Sequence, residues 1–449
     1  MSRQDIAPHA RLRFSEVEAA GDAVRPLDFP PPVVARGVRV NALVVHPESG
    51  ARQVCSGVIH REDLSPLRHQ EGMTPPPSPL SPASEKGADC GSSVVSVPNT
   101  SSSSIATGGK EPLAYWPQRR LQNAIYGSVW ACLVLKRHYG VAADDAARAA
   151  GVEPGSPDAP IVWEITGNHV AIKMVEWARF HHHRGRLLED PVKEVAAMQL
   201  VGTQHPNVLG SSEVLQDNDF LYSIMPFCRG GDLFGVVVEY AEQSGGEIGM
   251  PEPVARYWFR QILWGLHHLQ SMGVCHRDLS LENVLVDDDR CMIIDMGMCL
   301  RIPYNDSLHE GHLTDVRQGS VRRLMRPQGT CGKHNYMSPE VAANIDCFDG
   351  FSIDLWAAGV ILYIMLTGFP PYDQANVTDQ RFELIVTGRL MEQLRNWDIN
   401  LSEEAGDLLQ KMLQLEPRER LNLAEIFAHP WVVKDEVEPP PPMETLPYH

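Results

Sequence analysis

The stretch LWAAGVILYIMLTG, Leu355 to Gly368, holds fourteen residues and no charge. It falls short of the roughly 20 residues that a membrane-spanning helix needs. A helix that is apolar on every side has to be enclosed by other protein. The chain must therefore build a sizeable helical core around this run, and its 449 residues leave room for that. A hydrophobic content of 43% with 21% charged residues is ordinary for a globular chain.

The pattern upstream of that run differs in kind. Short strand-like runs come first (AIYGSVWACLVL, HVAIKMV, DFLYSIMPF), with one helix expected at Pro191 to Leu200. Helical spacing follows: in PEPVARYWFRQILWGLHHLQ the apolar residues Val254, Trp258, Ile262, Leu266 and Leu269 line one face, and Gly273 ends the helix. NVLV and CMIID, flanking DDDR, read as a hairpin. A small strand-rich part before a larger helical one predicts an α+β chain with a cleft that can hold a ligand.

Both ends have another composition. Residues 1–115 read as a mostly disordered Pro/Ser-rich region with a candidate strand pair in VVARGVRVNALVVH. Thr74, Ser78 and Ser81 each precede proline, either as targets of proline-directed modification or as linker composition alone. Residues 434–449 read as a disordered acidic, proline-rich tail. Between them lies one folded region, 116–433, with a strand-rich part to about 227, an insert at about 136–168, and a helical part from about 228.

With 39 Lys+Arg against 57 Asp+Glu, the formal charge of -18 argues against nucleic acid or an anionic membrane as partner and fits a basic one. Nine cysteines without a CxxC pair suggest reduced thiols, hence a cytoplasmic or also nuclear location. MSRQDIAPHARLRF offers no signal-peptide core, and Ser2 no myristoylation site. The three histidines 181–183 read as a solvated loop, not as a metal site.

Certain residues fit phosphoryl transfer, which needs a cation on the phosphates, oxygen ligands for divalent metal, and a carboxylate to orient the attacking hydroxyl. In HVAIKMV, Ala171 and Lys173 share one face of a strand, leaving room for a flat base beside an ammonium. In EDPVKEV, Asp190 can cap a helix whose first turn carries Glu194 as counter-charge to Lys173. Asp278 and Asn283 lie five apart in a loop, and Asp295 ends CMIID: one carboxylate for the hydroxyl and two oxygen ligands for Mg2+.

Taken in order, VAIK, HRDLSLEN, DMG, SPE, DLWAAG and EPRER resemble the eukaryotic protein kinase superfamily, serine/threonine type, over roughly Arg119 to Val433. The flavour is nearest the calcium/calmodulin-dependent and cyclic-nucleotide-dependent groups. The resemblance implies a bilobal fold, ATP and Mg2+, Lys173 on phosphate, Asp278 as catalytic base, and Asn283 and Asp295 as metal ligands. It further implies that Leu121, Gly127, Val129, Ala171, Met225, Cys228 and Leu285 surround the nucleotide. His276 and Asp354 would shape the catalytic loop, and Glu340 would pair with Arg420.

Departures from the family pattern are as informative. In LQNAIYGSV only Gly127 of the three loop glycines remains, with Gln122 and Ala124 in the other places, which predicts weak ATP affinity. Met296 replaces the usual Phe. Ser280 stands where the family has the lysine that touches the transferred phosphate. In QGTCGKHNYMSPE, Lys333 stands where the family has a threonine beside that lysine, so we expect the cation to have moved from 280 to 333. The alternative is a solvated loop lysine and an impaired enzyme.

Control is expected through the segment from Asp295 to Glu340, with Thr330 and Ser320 as phosphorylation candidates for an upstream kinase or autophosphorylation, and Arg277 as their partner. Asp232, Glu282 and Glu383 stand where basophilic members bind arginine upstream of the phosphorylated residue, though each could be a solvated charge. Serine/threonine specificity, protein substrates and a monomer are expected. The competing reading is a catalytically weak pseudokinase that serves as a scaffold.

Overall fold

The computed structural model describes residues 25–62, 111–156, 158–183, 187–243, 249–303, 324–345 and 347–439. Thr74, Ser78, Ser81 and Ser320 lie outside the described residues. The described residues divide into two compact units, one of those within 36–62, 111–116 and 133–168, the other of those within 25–35, 117–132 and 169–439.

The smaller unit is built on β1 (Ala35–Val45) and β2 (Arg52–Arg61), antiparallel with Val45 opposite Arg52 and a register shift between Val40 and Ala42. VVARGVRVNALVVH therefore supplies a single strand, and its partner comes from RQVCSGVIHR. The start of β3 (Leu113–Ala124) pairs with β2, Ile59 opposite Tyr115. The end of β4 (Gly127–Arg137), the helix α1 (Val141–Ala149) and the start of β5 (Val162–Glu176) complete the unit, with Val44 of β1 beside Trp163 in parallel register. Its core is Val44, Val58, Leu135 and Trp163, and α1 seats Ala142 on Val45 and Val162. Residues 136–168, expected as an insert, thus share one core with two strands from the region expected to be mostly disordered. The parallel pairing of β1 with β5 joins strands more than a hundred residues apart, so local patterning could not reveal the unit.

In the larger unit β5 continues antiparallel to β7 (Phe220–Pro226), and β6 (Glu213–Gln216) flanks β7. Before them come α2 (Trp177–His183) and α3 (Pro191–Val201). Histidines 181–183 are helical, not loop, and His181 stacks on Trp177 with ring centroids 6.0 Å apart. Asp190 caps α3, its carboxylate accepting from the Val192 and Lys193 N–H groups, while Pro191 fills the first turn.

Helices follow: α4 (Leu233–Gln243) and α5 (Glu252–Ser271), the latter burying Val254, Trp258, Ile262, Leu266 and Leu269. The short strands β8 (Val274–Cys275), β9 (Val284–Asp287), β10 (Arg290–Ile293) and β11 (Leu300–Arg301) carry the loops of the site, with β9 and β10 a hairpin and β8 paired to β11. Strand β10 stops two residues short of Asp295, which was expected at its end. Then come α6 (Pro339–Ala342), α7 (Gly350–Thr367), α8 (Gln380–Val386), α9 (Leu390–Asn396), α10 (Glu403–Met412), α11 (Leu423–Phe427) and α12 (Pro430–Val433).

Helix α7 contains the apolar run, and every one of its residues is buried. It is long and apolar enough to cross a membrane, yet it is enclosed by protein on all sides. Each fully buried Leu, Ile or Val there contributes roughly 1.5–3 kcal/mol. Asp349 caps its start and Gly368, at φ 82°, ends it in the left-handed region that glycine tolerates. Residues 434–439, expected as tail, lie along α5: Arg256 and Arg260 donate to the Glu436 and Lys434 carbonyls, and the Glu438 N–H to the Pro253 carbonyl.

Candidate functional site

The residues of the candidate site all belong to the larger unit. On β5, Ala171 faces Met225 of β7 in register and Lys173 faces Ser223. Lys173 Nζ meets both Glu194 carboxylate oxygens, at 2.6 and 2.7 Å. The cap at Asp190 sets this contact, because it fixes Glu194 in the first turn of α3. Burial alone would lower the Lys173 pKa, but the charges of Glu194 and Asp295 outweigh it and hold the ammonium protonated. The pair therefore places a fixed cation beside the Asp295 turn.

The catalytic-loop candidates hang from one buried carboxylate. Asp354 on α7 accepts from the His276 N–H at 2.6 Å and the Arg277 N–H at 2.8 Å. Burial pushes its pKa up to about 6, against the pull of His276 and these N–H groups. His276 is completed by the Ile294 carbonyl, 2.8 Å from its Nε2. Arg277 takes a φ of 69°, a left-handed strain that the two hydrogen bonds to Asp354 hold in place.

Asn283 donates through Nδ2 to the Asp278 carbonyl at 2.7 Å and to Asp278 Oδ2 at 3.1 Å, which leaves its Oδ1 as an outward acceptor. Asp295, also left-handed at φ 67°, spends Oδ1 on the Gly297 N–H at 3.1 Å and keeps Oδ2 for a cation. No group of three His, Cys, Asp or Glu able to hold a metal exists among the described residues. A divalent ion held by Asn283 and Asp295 would need phosphate oxygens to complete its shell, so the donor set fits a metal that arrives with a nucleotide.

Ser280 is fully buried, and Lys333 Nζ donates to its Oγ at 2.7 Å. The same ammonium lies 3.2 Å from Glu282 Oε2, and the Tyr336 hydroxyl donates to that oxygen at 3.3 Å. Burial raises the Asp278 pKa, Asp295 adds to this, and His276 and Lys333 draw it down. Gly332 lets the segment come this close: its φ is 92°, and a Cβ there would sit 3.1 Å from the Arg277 carbonyl and 3.5 Å from Asp278 Oδ1.

Other residues singled out in the sequence are distributed as follows. Asp232 caps α4 through the Gly235 N–H, and its charge acts on Tyr336. Glu383 stands apart on α8, where its charge acts on Arg389. Glu282 is not a free carboxylate for a substrate arginine, since Lys333 already pairs with it. Arg277 donates to the Met298 carbonyl at 3.3 Å and the Gly329 carbonyl at 3.2 Å, next to exposed Thr330. Glu340 and Arg420 form a two-pronged buried pair, 2.6 and 2.7 Å, with the guanidinium over the Trp356 ring.

For a flat ligand, Ala171 and Met225 are buried in the main core, Val129 and Cys228 pack against it, Leu285 is half-buried on β9, and Leu121 is exposed. Gly127 is required for packing: a Cβ would lie 1.9 Å from the Met174 carbonyl. Two residues escaped the sequence reading. Tyr126, at the loop tip, is buried edge-on to Phe180 and donates its hydroxyl to the Glu189 carbonyl at 3.0 Å. Glu189 packs against Gly297, and burial and then Asp295 raise its carboxyl. The doubled acid in EDP, one of which is the helix cap, was the only local signal for it. Met296, in place of Phe, is fully buried in the core.

Residues 161–432 match the model of the protein kinase domain. The chain is 34% identical over 249 residues to a probable serine/threonine-protein kinase of Dictyostelium discoideum, covering 54% of this chain and 25% of that one. It is 30% identical over 286 residues to CBL-interacting protein kinase 20 of Oryza sativa subsp. japonica, covering 63% and 55%. It is 31% identical over 289 residues to CBL-interacting serine/threonine-protein kinase 16 of Arabidopsis thaliana, covering 62% and 56%. The chain thus spans between a quarter and just over half the length of these relatives.

Proposed function

The chain belongs to the protein kinase family, and from that premise we propose that it transfers the γ-phosphoryl group of ATP to serine or threonine hydroxyls of proteins, with Lys333 as the cation its catalytic loop lacks. The observation that carries this reading is the 2.7 Å contact between Lys333 Nζ and Ser280 Oγ, made by a lysine whose charge also acts on Asp278.

In this reading Asp278 orients the substrate hydroxyl and accepts its proton. Lys173, held by Glu194, positions the nucleotide phosphates. Asn283 and Asp295 would hold a divalent cation, which would neutralise charge on the phosphate oxygens. Lys333 faces the charge that develops on the transferred group. Asp354 keeps the loop in shape without touching substrate.

A preference for basic residues upstream of the target would rest on Asp232, since Glu282 is engaged. Control would pass through Thr330, whose neighbour Gly329 is bound by Arg277, so that a phosphate there finds a guanidinium already in reach.

A radiolabelled-ATP assay on the purified chain with an arginine-rich peptide tests the proposal, beside Asp278→Asn and Lys333→Met. Transfer by the wild type, none by Asp278→Asn, and transfer slowed by about 10²–10³ in Lys333→Met are expected. Equal labelling by wild type and Asp278→Asn would leave only a scaffold role.

A further inference from the structure

Residues 27–34, LDFPPPVV, lie outside every helix and strand yet are tied down at both ends. At one end Leu27 bridges Arg301 of β11: its N–H donates to the Arg301 carbonyl at 2.9 Å, and Arg301 Nη1 donates to the Asp28 carbonyl at 3.1 Å. At the other end Gln199 of α3 binds one residue twice. Its Nε2 donates to the Val33 carbonyl and its Oε1 accepts from the Val33 N–H, both at 2.7 Å. Val34 then packs into the apolar cluster that holds Val192 and Val195 of α3, and Phe29 packs against the main core.

Between the anchors stand Pro30, Pro31 and Pro32. Consecutive prolines hold φ near −65° and favour a stiff extended chain of about 3.1 Å per residue, so the five steps from Asp28 to Val33 span about 15 Å. A stiff spacer anchored at both ends couples them, whereas a flexible one would leave each free to move. The parts it couples are those the site needs in register. Helix α3 carries Glu194 and packs against the Met296–Met298 turn that Asp295 caps. Strand β11 follows that turn and pairs with β8, which leads into His276.

We propose that residues 27–34 form a strap that holds α3 against the Asp295 turn, with Gln199 as a positioning residue for the Lys173–Glu194 pair. This rests on the protein kinase reading for its consequence in catalysis, but the mechanical link stands on the contacts themselves. With the strap released, α3 is free to swing away, and the fraction of molecules with Lys173 correctly placed falls.

Two full-length variants test it: Gln199→Ala, which removes both hydrogen bonds, and the triple Pro30→Gly, Pro31→Gly, Pro32→Gly, which keeps both anchors and changes only stiffness. Gln199→Ala should lower kcat about tenfold, in keeping with two neutral hydrogen bonds of modest net worth, and the triple variant should lower it in the same direction. Hydrogen exchange of α3 amides should speed up while that of α7 stays unchanged. Wild-type kcat and wild-type α3 exchange in both variants would overturn the proposal. A lower kcat with unchanged α3 exchange overturns it too, since the effect then bypasses α3. If the wild type itself transfers no phosphate, the kinase reading fails separately, and α3 exchange alone decides for or against the strap.

Discussion

Lys333 donates to Ser280 across 53 residues of sequence, at 2.7 Å. Ser280 carries no charge, and its buried hydroxyl serves as the rest on which the lysine is held. Glu282 takes the other side of the ammonium at 3.2 Å. With two partners the side chain gives up rotamer freedom before substrate binds, which is the form of preorganisation that electrostatic stabilisation requires.

Lys333→Met should therefore lower kcat by about 10²–10³, the effect of removing one preorganised charged donor, and leave the Kd for ATP unchanged. The exchange Ser280→Lys with Lys333→Thr should recover a large part of that loss. Steady-state kinetics beside ATP titration separates the two quantities. A double variant as inactive as Lys333→Met would show that the site depends on the segment's lysine for another reason.

The acid limb of the pH profile should report Asp278. Burial raises its carboxyl, so the base is lost by protonation at a higher pH than an ordinary aspartate as the solution is acidified. Lys333 opposes that rise. Its removal must push the Asp278 pKa further up, and the acid limb of kcat/KM in the residual activity of Lys333→Met should move to higher pH. A limb that stays fixed would mean that the ammonium does not act on Asp278.

Asp354 makes a second pH prediction, on stability. Its folded pKa of about 6 lies above the ordinary aspartate value, so between about pH 4 and 6 the folded state binds more protons than the unfolded one. Its contribution is largest below that window and declines as pH rises through it, by an amount of order 3 kcal/mol at 1.36 kcal/mol per pKa unit. Comparing urea unfolding of wild type and Asp354→Asn across pH 4 to 7 isolates the slope, which the variant should lack.

Breaking the Glu340–Arg420 pair should cost about 3–5 kcal/mol, because Glu340→Ala strands a buried guanidinium. Both side chains are only 1% exposed, so solvent offers the remaining charge no relief. Denaturant unfolding measures it. A loss under about 1 kcal/mol, the range of exposed pairs, would contradict the burial seen here.

The nucleotide-loop glycines should divide by role. Gly127→Ala brings a methyl onto the Met174 carbonyl and should destabilise the fold by about 1–3 kcal/mol. Ala124→Gly and Gln122→Gly, restoring backbone access to phosphate, should instead lower the Kd for ATP with little change in stability. Paired calorimetric titration and thermal unfolding distinguish the outcomes.

Much of the site was legible because it is built from local devices. Asp190 as cap and Pro191 with its preset φ favour a helix start, and that start puts Glu194 one turn in. An apolar run such as that of α7 has to be buried in any fold. Asp354 as anchor of the HRDLSLEN loop was legible only through the resemblance to the family. Glu189 and Tyr126 were missed because no spacing rule links residues 63 apart whose contact is a hydroxyl on a carbonyl.

Residue identity and order settle which groups are available: Lys173, Asp278, Asn283 and Asp295 in an order that matches phosphoryl transfer, with a serine at 280 and a lysine at 333. What those groups touch is set by the fold. It set Lys333 on Ser280 and took Glu282 out of the set of free acids. It also joined β1 and β2 to residues 133–168 in one core, and LDFPPPVV to Gln199 and Arg301. Patterning reports the period of an element and its apolar face, whereas these contacts depend on loop closure over many residues, whose entropy grows only slowly with length and leaves no trace in the local sequence.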